Sequence, residues 1–383
     1  MKIYMEDNLC TIFKLVFHKM QRFFLLNGQT IVNNPEEAEL IVIGTCAAFD
    51  ADETRSAELA SKIKIFNKPV YVYGCMTSVN PGKLKLKNLF PSWDAQLLVE
   101  SIVAKPKASW DSIDLPTEFR IKSDYRVYNL KKNFVGISTG CAFECSYCPH
   151  KIGAGNIISR PVNKILDQVK YLINNGSQTI VITGTDVACY GKDIGISFPS
   201  LLERILKISP KKIQFHIAQF NPQGFYLGFK KLIRCCQDER VTDFQLPIQT
   251  TSERLLMMMN RYYSIEDIRK FIIAVKKKNK NIVFRTDLIV GFPTETEEEF
   301  IKSIEFVVRY FDEIAVYGFE LKRKTLIASY NLPLFNKSLI KKRVKYALQR
   351  IKHEGLLAHS GGQDVCSLCY NDQDKEKIIT KKL

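Results

Sequence analysis

The chain has 383 residues, which is enough for two domains or for one barrel with an appendage. Its hydrophobic content of 46% predicts a globular protein. The sequence contains no apolar run long enough to span a bilayer, and its N-terminus has no basic segment followed by an apolar stretch. We therefore expect a cytoplasmic protein that does not contact membranes. A net charge of +16 favours a polyanionic partner, although charge alone indicates only non-specific attraction.

Residues 1–110 are predicted to form a small α/β domain, because short β-rich segments alternate with segments of helical periodicity. In chain order we expect a strand at 2–5, a helix at 12–26, a strand at 39–44, a helix at 52–65 and a strand at 69–73.

A cysteine follows each of these three strands: Cys10, Cys46 and Cys75. The carboxyl ends of strands line the ligand crevice in open α/β sheets, so the three thiols could converge on one site. Three unrelated buried cysteines are the alternative. Eleven cysteines in a chain of this size, without a recognisable secretory signal, favour intracellular metal ligation over disulfides.

The second half alternates strand-like and helical segments. Residues 111–130 have little apolar periodicity and are interpreted as a connector, 131–358 as the core, and 359–383 as a polar tail. The predicted core strands are 134–138, 179–183, 212–218, 243–248, 282–290 and 313–319. Six β/α units are fewer than the eight of a closed barrel, so the sequence predicts an α/β protein with an open, partial TIM barrel.

The loop after the first core strand carries Cys141, Cys145 and Cys148 in a C-x3-C-x2-C pattern. Three thiolates can hold three irons of a [4Fe–4S] cluster, which leaves the fourth iron open to a substrate or cofactor. A zinc site is an alternative, but its nearest candidate for a fourth ligand, His150, is only two residues past Cys148. Unrelated buried thiols are a further alternative.

This spacing, with Tyr147 before the last cysteine, resembles the radical S-adenosylmethionine (SAM) superfamily. An early cysteine followed by Thr45-Cys46 and Gly74-Cys75-Met76, ahead of that loop, resembles the methylthiotransferase family within it. The similarity continues in order through Ser159-Arg160-Pro161, Thr183-Gly184-Thr185-Asp186, Tyr190-Gly191-Lys192-Asp193-Ile194-Gly195, Leu246-Pro247-Ile248-Gln249 and Thr286-Asp287-Leu288-Ile289-Val290-Gly291-Phe292-Pro293.

The resemblance implies two [4Fe–4S] clusters and SAM as cofactors. Cys141, Cys145 and Cys148 would be the catalytic set that binds the SAM cluster, and Cys10, Cys46 and Cys75 would bind the second cluster. The residues implied to bind SAM are Gly184, Thr185 and Asp186 for its methionine part, Gln249, and Ile289 and Gly291 for its adenine. Cys10 departs from the family pattern because Thr11, rather than Asn, follows it.

The implied activity is insertion of a methylthio group at an unactivated C–H bond, most closely at carbon 2 of a modified adenosine 37 in tRNA. The segment 183–195 resembles the branch that acts on threonylcarbamoyladenosine. The alternative substrate is a protein or peptide side chain. Implied partners are tRNA and a flavodoxin- or ferredoxin-like electron donor, and we expect a monomer.

The C-terminal part is less similar to the family. Residues 337–356 predict a basic helix, which could face RNA or simply be solvated. Family members continue into a small β-barrel, the TRAM domain, and residues 361–383 are too few to form it. Cys366 and Cys369 form a C-x2-C pair, which is either half of a zinc site or part of a disordered tail. We expect Cys189, Cys235 and Cys236 to be buried thiols without a metal.

Overall fold

A computed structural model describes residues 1–117 and 133–360. The N-terminal part is a five-stranded, fully parallel sheet with the strand order β2-β1-β3-β4-β5. Its strands are β1 (Lys2–Asp7), β2 (Thr30–Val32), β3 (Leu40–Thr45), β4 (Val70–Gly74) and β5 (Asn88–Phe90). Its helices are α1 (Thr11–Leu26), α2 (Asp50–Lys64), α3 (Met76–Val79) and α4 (Ala95–Ile102).

The second part is an eight-stranded sheet with the order β13-β12-β11-β10-β9-β8-β6-β7, parallel except for β7. Its strands are β6 (Asn133–Thr139), β7 (Ile158–Ser159), β8 (Thr179–Gly184), β9 (Gln214–Ile217), β10 (Val241–Gln245), β11 (Val283–Val290), β12 (Glu313–Gly318) and β13 (Leu357–Ser360). Its helices are α5 (His150–Ala154), α6 (Val162–Asn174), α7 (Phe198–Ile208), α8 (Phe229–Cys236), α9 (Glu253–Met258), α10 (Ile265–Lys276), α11 (Glu297–Tyr310), α12 (Leu326–Ser329) and α13 (Lys337–His353).

The predicted α/β class is confirmed, and each of the six predicted core strands is present. The sheet is open, since β7 and β13 are its two edges. Strands β2, β5, β7 and β13 are not predicted from the sequence, because they have two to four residues each and depend on pairing with a neighbouring strand. Strand β13 pairs with β12, so residues 359 and 360 belong to the sheet rather than to the predicted tail.

Helix α1 packs between the two sheets. Its side chains Ile12 and Leu15 lie against Gly136 in β6, where an added Cβ would come within 2.9 Å of Ile12 Cδ1. The missing side chain at Gly136 therefore lets the N-terminal part approach the larger sheet closely. No helix among residues 1–117 and 133–360 is long and apolar enough to cross a bilayer. Most of the predicted connector, and Cys366 and Cys369, lie outside the described residues.

Candidate iron–sulfur and cofactor site

A cavity of about 270 Å³ lies at the carboxyl ends of the strands of the larger sheet. Ala48 and Phe49, from the segment between β3 and α2, contribute to its wall, so both parts of the chain form it. Its lining residues include Cys141, Cys145, Tyr147, Cys148, Thr185, Asp186, Asn221, Gln249, Arg261, Ile289 and Tyr317.

The loop that carries the three core cysteines is held by the backbone. Gly140 has φ 73°, and a Cβ there would lie 1.8 Å from the carbonyl oxygen of Asn156, so only glycine fits this turn out of β6. Farther along the loop, the Ser146 amide donates to the Met259 carbonyl at 2.9 Å, and its own carbonyl accepts from the Ile327 amide at 2.8 Å. The loop is thus positioned by elements distant in sequence, and Cys141, Cys145 and Cys148 all line the cavity.

The three thiols fit a four-iron cluster better than a single metal ion. Within residues 1–117 and 133–360, no three Cys, His, Asp or Glu side chains converge on one metal ion. A four-iron cluster does not require such convergence, because each thiolate binds a different iron. Burial raises the pKa of Cys145 to about 11, although the Arg261 guanidinium opposes the shift. Loading with iron is therefore expected to displace protons from buried thiols.

Arg261 is a buried cation beside this loop, with 5% of its surface exposed. Its Nη1 donates to Tyr147 Oη at 3.1 Å and lies 3.9 Å from Cys145 Sγ, while its Nη2 donates to Asn221 Oδ1 at 3.0 Å. Its Nε makes no hydrogen bond in the described part of the chain. A buried guanidinium needs negative partners, and the Asp186 and Asp287 carboxylates interact with it electrostatically. A thiolate–iron cluster held by Cys145 would add another.

Four of the six predicted SAM-binding residues line the cavity: Thr185, Asp186, Gln249 and Ile289. The Asp186 carboxylate accepts from the amides of Ala188 at 3.0 Å and Asn221 at 3.2 Å, and burial raises its pKa to about 6. Gln249 adopts a left-handed φ of 66°, and its backbone pairs with β11 through Asp287 and Ile289, which holds its side chain at the cavity.

Gly184 and Gly291 are not among the lining residues. An added Cβ would lie 2.9 Å from Ser138 Oγ at Gly184 and 2.7 Å from Ile340 Cγ1 at Gly291. These glycines therefore permit close packing behind the cavity wall, and the wall itself is formed by their neighbours Thr185 and Ile289.

The N-terminal cysteines lie at the carboxyl ends of β1, β3 and β4, which are adjacent in the sheet. Ser56 Oγ accepts from the Cys46 amide at 3.0 Å and donates to its carbonyl at 2.8 Å, which fixes that turn. Burial raises the pKa of Cys46 and of Cys75, and Cys10 adds to both shifts, so the three thiols interact electrostatically. None of the three lines the cavity described above.

Cys75 lies close to the core cysteine loop. A Cβ added at Gly153 in α5 would come within 3.0 Å of Cys75 Sγ, and α5 begins two residues after Cys148. The two cysteine sets are therefore neighbours across the boundary between the two sheets. Cys189 is fully buried, as expected, but a hydrogen bond with its side chain raises the pKa of Cys141, so it contacts the candidate site.

Contacts across the boundary, which the sequence analysis missed, complete the site. Lys322 Nζ lies 2.7 Å from Asp50 Oδ1 and 3.0 Å from Glu53 Oε1, and its side chain is 4% exposed. The Asp50 amide donates to Glu320 Oε2 at 2.7 Å. These partners are about 270 residues apart in sequence, so no local pattern could have indicated them.

Two family models match the chain. Residues 135–307 match the radical SAM superfamily, and residues 2–95 match a family described as "Uncharacterized protein family UPF0004". The first match covers strands β6 to β11 of the larger sheet, and the second covers all five strands of the N-terminal sheet.

Curated relatives match most of the chain. The probable threonylcarbamoyladenosine tRNA methylthiotransferase of Methanocaldococcus jannaschii is 30% identical, over 92% of this chain and 83% of the relative. A probable enzyme of the same name from Pyrococcus horikoshii is 28% identical, over 86% and 79%. The threonylcarbamoyladenosine tRNA methylthiotransferase of Homo sapiens is 26% identical, over 74% of this chain and 51% of the relative.

Solved structures share the architecture. The radical SAM methyltransferase TsrM from Kitasatospora setae, with cobalamin and a [4Fe–4S] cluster bound, superposes with a TM-score of 0.62 at 12% identity, covering 85% of this chain and 77% of TsrM. The cobalamin-dependent radical SAM enzyme OxsB gives 0.55 at 11% identity, covering 92% and 56%. At these identities the likeness concerns the fold alone.

Proposed function

Because the chain belongs to the radical SAM methylthiotransferase family, we propose that it transfers a methylthio group to carbon 2 of a modified adenosine 37 in tRNA, with threonylcarbamoyladenosine as the nucleoside. The observation that carries the proposal is the cavity in which Cys141, Cys145 and Cys148 meet four of the predicted SAM-binding residues. The name shared by the relatives supports tRNA over the peptide alternative.

In this proposal Cys141, Cys145 and Cys148 hold the SAM-binding cluster. When bound, the cluster and SAM together supply the reductive radical chemistry that activates a C–H bond. The chain's own residues orient and shield that chemistry. The Asp186 carboxylate offers an acceptor for an ammonium group, and Gln249 offers both a donor and an acceptor. The stacked rings of Phe49 and Tyr317 line the cavity at the domain boundary and would keep water from that part of it.

We further propose that Cys10, Cys46 and Cys75 hold a second [4Fe–4S] cluster that supplies the sulfur-transfer chemistry. The support is their position at the ends of three adjacent strands and the proximity of Cys75 to the core cysteine loop. The cytoplasmic location, the monomeric state and the flavodoxin- or ferredoxin-like electron donor remain predictions of the sequence.

The test is a nucleoside profile of bulk tRNA from cells with and without the gene. We expect 2-methylthio-threonylcarbamoyladenosine to disappear when the gene is deleted and to return with the wild-type gene, while a Cys145→Ala copy fails to restore it. An unchanged profile of all methylthioadenosines would rule out the tRNA reaction.

A further inference from the structure

The exposed side of α13 carries a row of lysines, here called the lysine face: Lys337, Lys341, Lys342, Lys345 and Lys352. At 3.6 residues per turn they fall within about 140° of the helix circumference and extend over about 22 Å. Helix α13 contains no acidic residue. The face is therefore a continuous strip of one charge sign.

The opposite side of α13 is fixed to the core. Arg343 is 7% exposed, and its Nη1 and Nη2 lie 2.7 Å from Glu295 and 2.9 Å from Glu297. Ala347 and Ile351 are fully buried beside it. This anchoring sets the rotation of the helix and points the lysine face towards solvent.

The five lysines of the lysine face have no carboxylate partner among the described residues, unlike several exposed lysines on other helices. Lys302 in α11 pairs with Glu298 at 2.6 Å, and Lys170 in α6 pairs with Asp167 at 3.6 Å. Within the described residues, the ion pairs of α13 are made by Arg343, Arg350 and His353, and by none of the five lysines. Uncompensated charges of one sign repel each other and favour a polyanionic ligand.

The first turn of α13 packs behind the cavity wall. Ile340, in the first turn of α13, lies against Gly291 and Gly318, where added Cβ atoms would come within 2.7 Å of its side chain. Gly318 lines the cavity, so the first turn of α13 forms part of the support for the cavity wall. The Lys337 end of the lysine face therefore belongs to the turn of α13 that supports the cavity wall.

We propose that the lysine face binds the sugar–phosphate backbone of the tRNA substrate and directs the target nucleotide towards the cavity. The inference rests on the proposed function, since it takes tRNA as the substrate. Lysine ammonium groups bind phosphates as point charges, and each phosphate contact releases condensed counterions, so this contact contributes affinity without sequence specificity.

The test compares two triple variants of equal charge change. The first is Lys341→Gln, Lys342→Gln and Lys345→Gln in the lysine face. The matched control is Lys277→Gln, Lys278→Gln and Lys280→Gln, three exposed lysines just after α10. Helix α10 ends at Lys276 beside Asp312, which directly precedes β12. The control lysines therefore lie at the amino ends of the strands, whereas the cavity lies at their carboxyl ends.

Binding of tRNA to the full-length reconstituted enzyme is measured across a salt series. We expect the first variant to bind tRNA at least about tenfold more weakly at low salt. The slope of its log K against log salt concentration should become shallower by about two to three, as expected for the loss of three phosphate contacts. The control should stay within about twofold of wild type. A Lys→Arg version of the first variant should bind as wild type does, because it keeps the charges.

Cleavage of SAM in the absence of tRNA shows whether a variant is folded and has an intact SAM site. This reaction needs no RNA contact, so its rate should be equal in all variants. If wild type binds tRNA but the first variant binds it with the same affinity and salt dependence, the lysine face is not the docking site and the proposed function stands. If wild type binds no tRNA at low salt, both the inference and the tRNA reaction are overturned.

Discussion

The ring of Phe49 stacks on the ring of Tyr317, with centroids 5.2 Å apart and planes inclined by 6°. Phe49 follows Cys46 by three residues, and Tyr317 lies near the carboxyl end of β12. Both rings line the cavity. This stack therefore connects the turn that carries an N-terminal cysteine to the wall of the candidate SAM site.

Phe49→Ala should reduce methylthio transfer more than it reduces the cleavage of SAM. Such aromatic pairs contribute about 0.5–1.5 kcal/mol, so we expect the methylthio product to fall by about two- to tenfold, while 5′-deoxyadenosine is still formed. The ratio of these two products, measured by mass spectrometry, checks this expectation. Phe49→Tyr keeps the ring and should behave as wild type. An equal loss of both products in Phe49→Ala would show that the ring supports SAM binding instead.

Replacement of Cys46 and Cys75 by Ala should remove one cluster but leave the cleavage of SAM intact. Reconstituted wild type should hold about eight irons, and this variant about four. Cleavage of SAM should persist and methylthio transfer should stop, because the cavity cysteines are unaltered. A matched control is Cys235→Ala with Cys236→Ala, two buried thiols in α8 that should leave the iron content unchanged. Full methylthio transfer by the Cys46/Cys75 variant would make these cysteines structural.

Replacement of all three cavity cysteines should give the converse result. With Cys141, Cys145 and Cys148 changed to Ala, about four irons should remain, because the N-terminal set is intact. Neither SAM cleavage nor methylthio transfer should be detectable. Iron analysis and the yield of 5′-deoxyadenosine provide the two measurements, and a wild-type iron content would show that the loop binds no cluster.

Arg261→Gln should lower the reduction potential of the SAM-binding cluster. The guanidinium lies 3.9 Å from Cys145 Sγ, and loss of a positive charge disfavours the added electron. With an effective dielectric constant of about 20, the shift should be on the order of 100 mV. Potentiometric titration followed by electron paramagnetic resonance measures it, and Arg261→Lys, which keeps the charge, should shift the potential less. Equal potentials in wild type and Arg261→Gln would contradict this role.

Glu295→Gln should remove a pH dependence of stability. Burial raises the pKa of Glu295 from 4.5 to about 7, although the Gly291 amide and the Arg343 guanidinium oppose the shift. Between these values the folded chain binds more protons than the unfolded chain, so this carboxyl contributes less stability as the pH rises through that window. The free energies of unfolding of wild type and variant should diverge by about 3 kcal/mol across the window.

Denaturant unfolding of the reconstituted protein at several pH values measures that divergence. Glu298→Gln, an exposed carboxyl with a side chain 75% accessible at the start of α11, is the control and should follow wild type. The prediction fails if Glu295→Gln and wild type show parallel stability curves from pH 4.5 to 7.

The sequence by itself determined the fold class, the six core strands and the two sets of cysteines. These features are encoded locally: β-rich and helical segments differ in their hydrophobic period, and Cys141, Cys145 and Cys148 lie on one short loop whose spacing is itself the signal. The positions of Thr185, Asp186, Gln249 and Ile289 at the strand ends follow from the same parallel β/α pattern, since the carboxyl ends of such strands share one edge of the sheet.

Only the tertiary structure decided which other side chains meet at that edge. Arg261 reaches Cys145 across 116 residues, and Lys322 reaches Asp50 across 272, so each pair is created by packing and leaves no periodic trace in the sequence. The short strand β13 exists because β12 offers a pairing edge. Likewise, the sequence shows glycine at 184 and 291, but only the neighbouring Ser138 and Ile340 show that those positions serve close packing behind the cavity wall.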